Sequence, residues 1–188
     1  MSAEEFIQNK IPREKIESTV KKIEKSRRNI VLIGMPGSGK STMANFLGQE
    51  LKREVFETDL MTEERCKITI PEMFSKYGEK YFRDEETKSA CEAGKKSGVI
   101  IATGGGAVLR EENRYFLKQN SIIVLLKKDA SLLQRDGRPL SKSLEEVKRI
   151  EKERKPIYEG FADVTIDVDP DESITGIKIL EKLKGEIL

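Results

Sequence analysis

The chain of 188 residues contains no histidine and no tryptophan. Without an imidazole, proton transfer near neutral pH falls to a carboxylate, a lysine, a tyrosine or a thiol, and a carboxylate is the best suited of these. Cysteine is scarce too. Cys66 and Cys91 lie far apart, with no CxxC pair and no histidine partner. That arrangement excludes a zinc site of ordinary spacing and reads as two free thiols in a reducing, cytoplasmic setting. No apolar run approaches the roughly 18 residues of a membrane helix, and the N-terminus has no signal-peptide core. Aromatic residues are 6% of the chain and charged residues 36%, which describes a charged, helix-rich surface over a modest core. Lys and Arg number 35 against 33 Asp and Glu, interleaved rather than segregated, so composition offers no face for nucleic acid.

What is present is more specific. Residues Gly34-Met35-Pro36-Gly37-Ser38-Gly39-Lys40-Ser41 fit the pattern G-x-x-x-x-G-K-[ST] at every fixed position. The apolar run Asn29–Ile33 precedes it, and Met43, Ala44, Leu47 and Leu51 follow at helical spacing. A strand, a glycine-rich turn and a helix N-terminus together make a phosphate cradle of backbone N–H groups. Gly37, Ser38, Gly39, Lys40, Ser41 and Thr42 are therefore the expected nucleotide-binding residues. Lys40 reaches the terminal phosphates and the Ser41 hydroxyl is a ligand for Mg²⁺. The expected cofactors are ATP and Mg²⁺.

Five apolar runs read as strands: Ile30–Ile33, Val55–Phe56, Val99–Ala102, Ile122–Leu126 and Val164–Val168. Charged stretches of helical period separate them, as in βαβ units. The fold class is α/β, a three-layer α/β/α sandwich on a five-stranded parallel sheet with a P-loop. Ligands of such sheets sit beyond the C-terminal strand ends. Three loops fall there: the phosphate loop, Glu57-Thr58-Asp59, and Thr103-Gly104-Gly105-Gly106. Strand alternation would point Glu57 and Asp59 the same way, one toward Mg²⁺ and one toward a substrate hydroxyl. The plainest account of Arg83 is a surface ion pair in an acid-rich helix.

Taken in order, these motifs give the chain a resemblance to the shikimate kinases. The landmarks are Gly34–Ser41, Glu57-Thr58-Asp59, Gly78–Glu86, Gly104–Gly106, Arg138-Pro139-Leu140, Glu153–Tyr158 and Ala162-Asp163. The resemblance implies ATP-dependent phosphorylation of shikimate to shikimate 3-phosphate. It implies that Arg83 and Arg154 grip the substrate carboxylate, that Asp59 is the base, and that Gly104, Gly105 and Gly106 line the substrate. It further implies a mobile lid, and that Lys40 and the lid residue Arg138 stabilise the transferred phosphoryl group. Glu57 stands where the family pattern carries an aspartate, so its metal role passes through a longer arm. The lid, about residues 127–143, is short, and Arg135 is the nearest candidate for flanking the adenine.

Residues 1–28 precede the first strand as an N-terminal helical extension, with Ile16, Val20 and Ile23 on one face and packing on the domain the first expectation. The kinase-like domain takes residues 29–188. A cytoplasmic monomer acting on shikimate, without membrane or nucleic-acid partners, is the leading expectation. Two alternatives stay open at this point: a kinase of another small metabolite such as gluconate, and a binding or regulatory module that has lost catalysis.

Overall fold

The structure is a computed structural model that describes residues 13–129 and 144–187. Five strands form one parallel sheet in the order β2-β3-β1-β4-β5, with β1 Asn29–Ile33, β2 Val55–Glu57, β3 Ile100–Ala102, β4 Ser121–Lys127 and β5 Val164–Asp167. Each expected strand is present. The helices are α1 Arg13–Glu24, α2 Lys40–Leu51, α3 Thr58–Cys66, α4 Ile70–Gly94, α5 Glu111–Lys118, α6 Leu144–Phe161 and α7 Glu172–Ile187.

The continuous apolar character of β1 follows from its place in the middle. Ile30 and Leu32 enter one core with Leu47 of α2 and Leu183 of α7. Val31 and Ile33 enter the other core with Ala90 of α4, Leu117 of α5 and Val147 of α6. A strand covered on both faces reads as an apolar run, and the one polar residue of β1, the buried Asn29, donates its amide to the Lys96 carbonyl and accepts the Val99 N–H. The register Ile30↔Ile100 and Ile30↔Ile122 places β3 and β4 on either side of β1. The connection to β2 leaves on one side and that to β4 on the other. The phosphate loop therefore opens at the point where strand order reverses, the place where such sheets hold ligands.

Helix α1 packs along α7 and α2. Ile23 is fully buried in the core beneath α7, and Val20 packs against that core. The Arg53 guanidinium donates to three carbonyls at the end of α1 and the segment after it: Ile23 at 2.7 Å, Ser26 at 2.6 Å and Arg28 at 2.8 Å. Ile23 lies in the last turn of α1, where a cation is the favoured sign, and its carbonyl also accepts the Ser26 N–H at 3.0 Å. Residues 1–12 lie outside the described residues, as do 130–143, which include Arg135 and Arg138. Strand β4 extends through Lys127, and most of the lid expected at about residues 127–143 lies outside the described residues.

Candidate active site

A cleft of about 470 Å³ opens beyond the C-terminal ends of β1, β2 and β3. At one end lies the phosphate loop. Gly37 and Gly39 have φ of 83° and 94°, which turn the chain so that α2 begins at Lys40 with its free N–H groups toward the cleft. Lys40 is buried, and its ammonium donates to the Gly34 carbonyl at 3.0 Å and the Met35 carbonyl at 2.9 Å. The Ser41 hydroxyl donates a short hydrogen bond to the Glu57 carboxylate. Lys40, Ser41, Thr42 and Glu57 all line the cleft.

Asp59 reaches the same cleft by a route that differs from the strand-alternation argument. Strand β2 ends at Glu57, which caps α3, and Asp59 sits in the first turn of that helix. A carboxylate in a first helical turn gains from the helix dipole. Burial nevertheless pushes the Asp59 pKa above its ordinary value, with Lys40 and Arg83 opposing the shift. One carboxylate oxygen, Asp59 Oδ1, is buried without a hydrogen-bond partner. An orphaned buried acceptor costs about 1–3 kcal/mol, a cost that a hydroxyl donor in the cleft would offset.

Arg83 is not a surface residue. It is 8% exposed and pairs with the buried Glu86 at 2.7 Å and with Glu79 at 3.1 Å. Helix α4 places it there through two local devices. Thr69 and Glu72 form a capping box at the start, where Pro71 also sits in the first turn. Gly78, at φ 81° and ψ 172°, then breaks the helix direction. Ile70, Pro71 and Phe74 before the break, and Phe82, Arg83 and Glu86 after it, thereby face one cleft. Phe74 and Phe82 meet with ring centroids 5.0 Å apart, forming an apolar wall beside the arginine.

At the three glycines after β3, neighbouring residues occupy the space a side chain would need. A Cβ on Gly104 would strike Asp59 Oδ1 and Glu86 Oε1, and one on Gly106 would strike the Arg83 guanidinium. A Cβ on Gly105 would lie 2.6 Å from Pro36 of the phosphate loop. The Gly104 N–H is already committed to Thr58 Oγ1 at 3.0 Å, so its contribution is close approach rather than a hydrogen bond. Arg154, 8% exposed on α6, donates to the Gly105 carbonyl at 3.0 Å.

The structure thus brings Gly37, Gly39, Lys40, Ser41, Thr42, Glu57, Asp59, Arg83, Gly104 to Gly106 and Arg154 to one cleft. Ser38 stands behind the loop, fully buried, with its hydroxyl unpartnered. Sequence reasoning assigned no role to Glu86, Tyr158, Phe74 or Thr58. Glu86 was accessible in principle, since it lies three residues after Arg83 on a helix. Burial lifts the Glu86 pKa while Arg83 opposes it, and its Oε1 is a second orphaned buried acceptor. Asp163, a landmark without an assigned task, is structural: it accepts the Ile123 N–H at 2.9 Å and the Lys118 ammonium at 2.5 Å.

A parallel sheet of this order, with a phosphate loop after β1 and an arginine–carboxylate–glycine cradle across the same cleft, defines a P-loop kinase of a small molecule. The family model described as shikimate kinase matches residues 36–184. Shikimate kinase 1 of Yersinia enterocolitica is 40% identical over 152 residues, covering 76% of this chain and 88% of that protein, and the Serratia proteamaculans enzyme of the same name matches equally. Among solved structures, the Acinetobacter baumannii shikimate kinase in complex with shikimate superposes with a TM-score of 0.79 at 32% identity, covering 89% of this chain and 96% of that one. The Aquifex aeolicus shikimate kinase gives 0.76 at 32% identity, covering 85% and 98%. The chain belongs to the shikimate kinase family. Helix α1 precedes the matched region.

Proposed function

We infer that this chain phosphorylates shikimate with ATP, forming shikimate 3-phosphate. The observation that carries the reading is the cradle of Asp59, Arg83, Gly104 to Gly106 and Arg154 across one cleft from Lys40. Shikimate presents a carboxylate and three hydroxyls. Two buried guanidinium groups suit the carboxylate, since a fork of parallel N–H donors matches its two oxygens. The Phe74 and Phe82 wall suits the ring, and the unpartnered Asp59 oxygen suits a hydroxyl.

In the transfer step the acceptor oxygen forms a bond to the γ-phosphorus, the bond to the bridging oxygen breaks, and ADP departs. The hydroxyl proton passes to the Asp59 carboxylate. A carboxylate whose pKa is raised by burial is a better base than an exposed one. Lys40 offsets charge on the phosphates, and Arg138 is assigned the same task. Arg135 is assigned to the adenine. Such transfers rest on positioning and charge neutralisation rather than on covalent chemistry.

The donor set also fits Mg²⁺. A hydroxyl and a carboxylate in contact, Ser41 and Glu57, are hard oxygen donors beside the phosphate cradle. No group of three or more His, Cys, Asp or Glu side chains suited to a metal occurs among the described residues, and Mg²⁺ commonly takes one or two protein ligands with phosphate oxygens and water. When bound, it would neutralise phosphate charge. No described helix is long and apolar enough to cross a membrane. The chain is assigned as a cytoplasmic monomer, in keeping with free Cys66 and Cys91.

Coupled ADP release with Mg²⁺ and ATP tests the activity, comparing shikimate with gluconate and a nucleoside monophosphate. Shikimate-dependent turnover that disappears in Asp59→Asn is expected. Turnover with gluconate but not shikimate would sink the assignment.

A further inference from the structure

Gly105 joins three parts of the cleft. Its carbonyl oxygen accepts two hydrogen bonds from α6, one from Arg154 Nη1 at 3.0 Å and one from the Tyr158 hydroxyl at 2.5 Å. These residues are spaced i and i+4, so they rise from one helix face. A carbonyl oxygen offers two lone pairs, and both are taken. The Gly105–Gly106 peptide is planar and trans, so fixing its carbonyl toward α6 aims the Gly106 N–H away from α6. Neither the Gly105 nor the Gly106 N–H has a protein acceptor among the described residues. On its other flank Gly105 abuts Pro36, which leaves the peptide little room to shift.

Tyr158 is 3% exposed, and its ring belongs to the core beside Val147 and Ile150. Phenylalanine would fill the same space. The hydroxyl is therefore surplus to packing, and its one acceptor lies on the loop that faces the substrate rather than within its own helix.

We propose that Tyr158 is a positioning residue for the acceptor substrate: through the Gly105 carbonyl its hydroxyl holds the Gly106 N–H toward the cleft and steadies the Arg154 guanidinium that shares the carbonyl. This rests on the shikimate kinase reading. Arg154 touches the substrate; Tyr158 acts through Arg154 and the peptide. The ATP end of the cleft is built from other residues and does not depend on the hydroxyl.

Tyr158→Phe removes one oxygen and keeps the ring, and Gly105 retains its bond from Arg154, so the variant is expected to fold. Steady-state kinetics and shikimate titration calorimetry should both show shikimate affinity lowered about fivefold, the equivalent of one hydrogen bond of about 1 kcal/mol. The KM for ATP should stay within about twofold. Because both residues use one carbonyl, Tyr158→Phe and Arg154→Lys should combine to less than the product of their separate effects. A lower melting temperature with both KM values unchanged assigns the hydroxyl to folding alone and overturns the proposal. So does an equal loss for both substrates, or full multiplicativity in the double variant. A wild-type chain inert toward shikimate overturns the activity and the proposal together, whereas an active wild type with an indifferent Phe variant overturns the proposal only.

Discussion

Asp59 brings a carboxylate into a buried position where Lys40 and Arg83 only partly offset the loss of water. Its pKa is raised in the folded chain, so between the unfolded and folded values the native state binds the extra proton. Stability then falls as pH rises through that window, and above it the full cost of burying the charge is present. Removing the charge should release that cost. Asp59→Asn is expected to abolish shikimate-dependent turnover and yet to melt at a higher temperature than wild type at pH 7 to 8. The gap should close as the pH falls below about 4, the usual carboxylate range. Scanning calorimetry across pH checks it, and a variant that melts lower than wild type at pH 8 would contradict burial as the origin of the shift. The same competition acts on Glu86, whose burial is offset by the Arg83 guanidinium.

At the scale of elements, α4 does two jobs because Gly78 divides it. The conformation at φ 81° and ψ 172° belongs to a region that is essentially restricted to glycine. Open space surrounds the missing Cβ, so the obstacle to a side chain is backbone strain alone. Gly78→Ala is expected to cost about 1–3 kcal/mol in urea unfolding, the usual toll of such a conformation. Relaxing that strain would re-aim Phe74 relative to Phe82 and Arg83. The KM for shikimate should therefore rise more than the KM for ATP, as parallel kinetics would show; an unchanged stability would mean that the break is not strained. The helical period of this stretch was legible in sequence, but the burial of Arg83 was not, because an arginine in an acid-rich helix reads as a surface ion pair. The direction of the break was not, because a glycine flanked by helix formers reads equally well as a tolerated interior residue.

On the scale of the whole molecule, the described residues before β1 are part of the fold. Ile23 fills the core against α7, and Arg53 closes the end of α1 with three hydrogen bonds. Deleting residues 1–28 should lower stability by about 3 kcal/mol or more, since it removes a buried isoleucine and strands a guanidinium. The cleft lies at the other ends of the strands, so KM values measured well below the melting temperature should change little. Urea titration and kinetics on the truncated chain test both halves. Unaltered stability would show α1 to be an accessory.

Some of this was fixed by local rules that a sequence states openly. The phosphate loop between an apolar run and an amphipathic helix determines its own geometry, because glycine, lysine and a helix N-terminus act over a few residues. Two-sided burial made β1, β3 and β4 continuous apolar runs, which announced the parallel sheet. Tertiary structure alone decided the rest. Arg83 and Gly106 are separated by a helix and a strand, and only sheet order sets a guanidinium in the space of a missing side chain. Asp59 proved to be a helix residue because β2 stops at Glu57, a boundary set by pairing with β3 rather than by alternation. Tyr158 and Gly105 meet across 53 positions of chain, and no periodicity in either segment encodes the hydrogen bond between them. Periodic burial is written along the chain; the meeting of loop, helix and strand end is a product of chain packing, and the chemistry of this cleft depends on it.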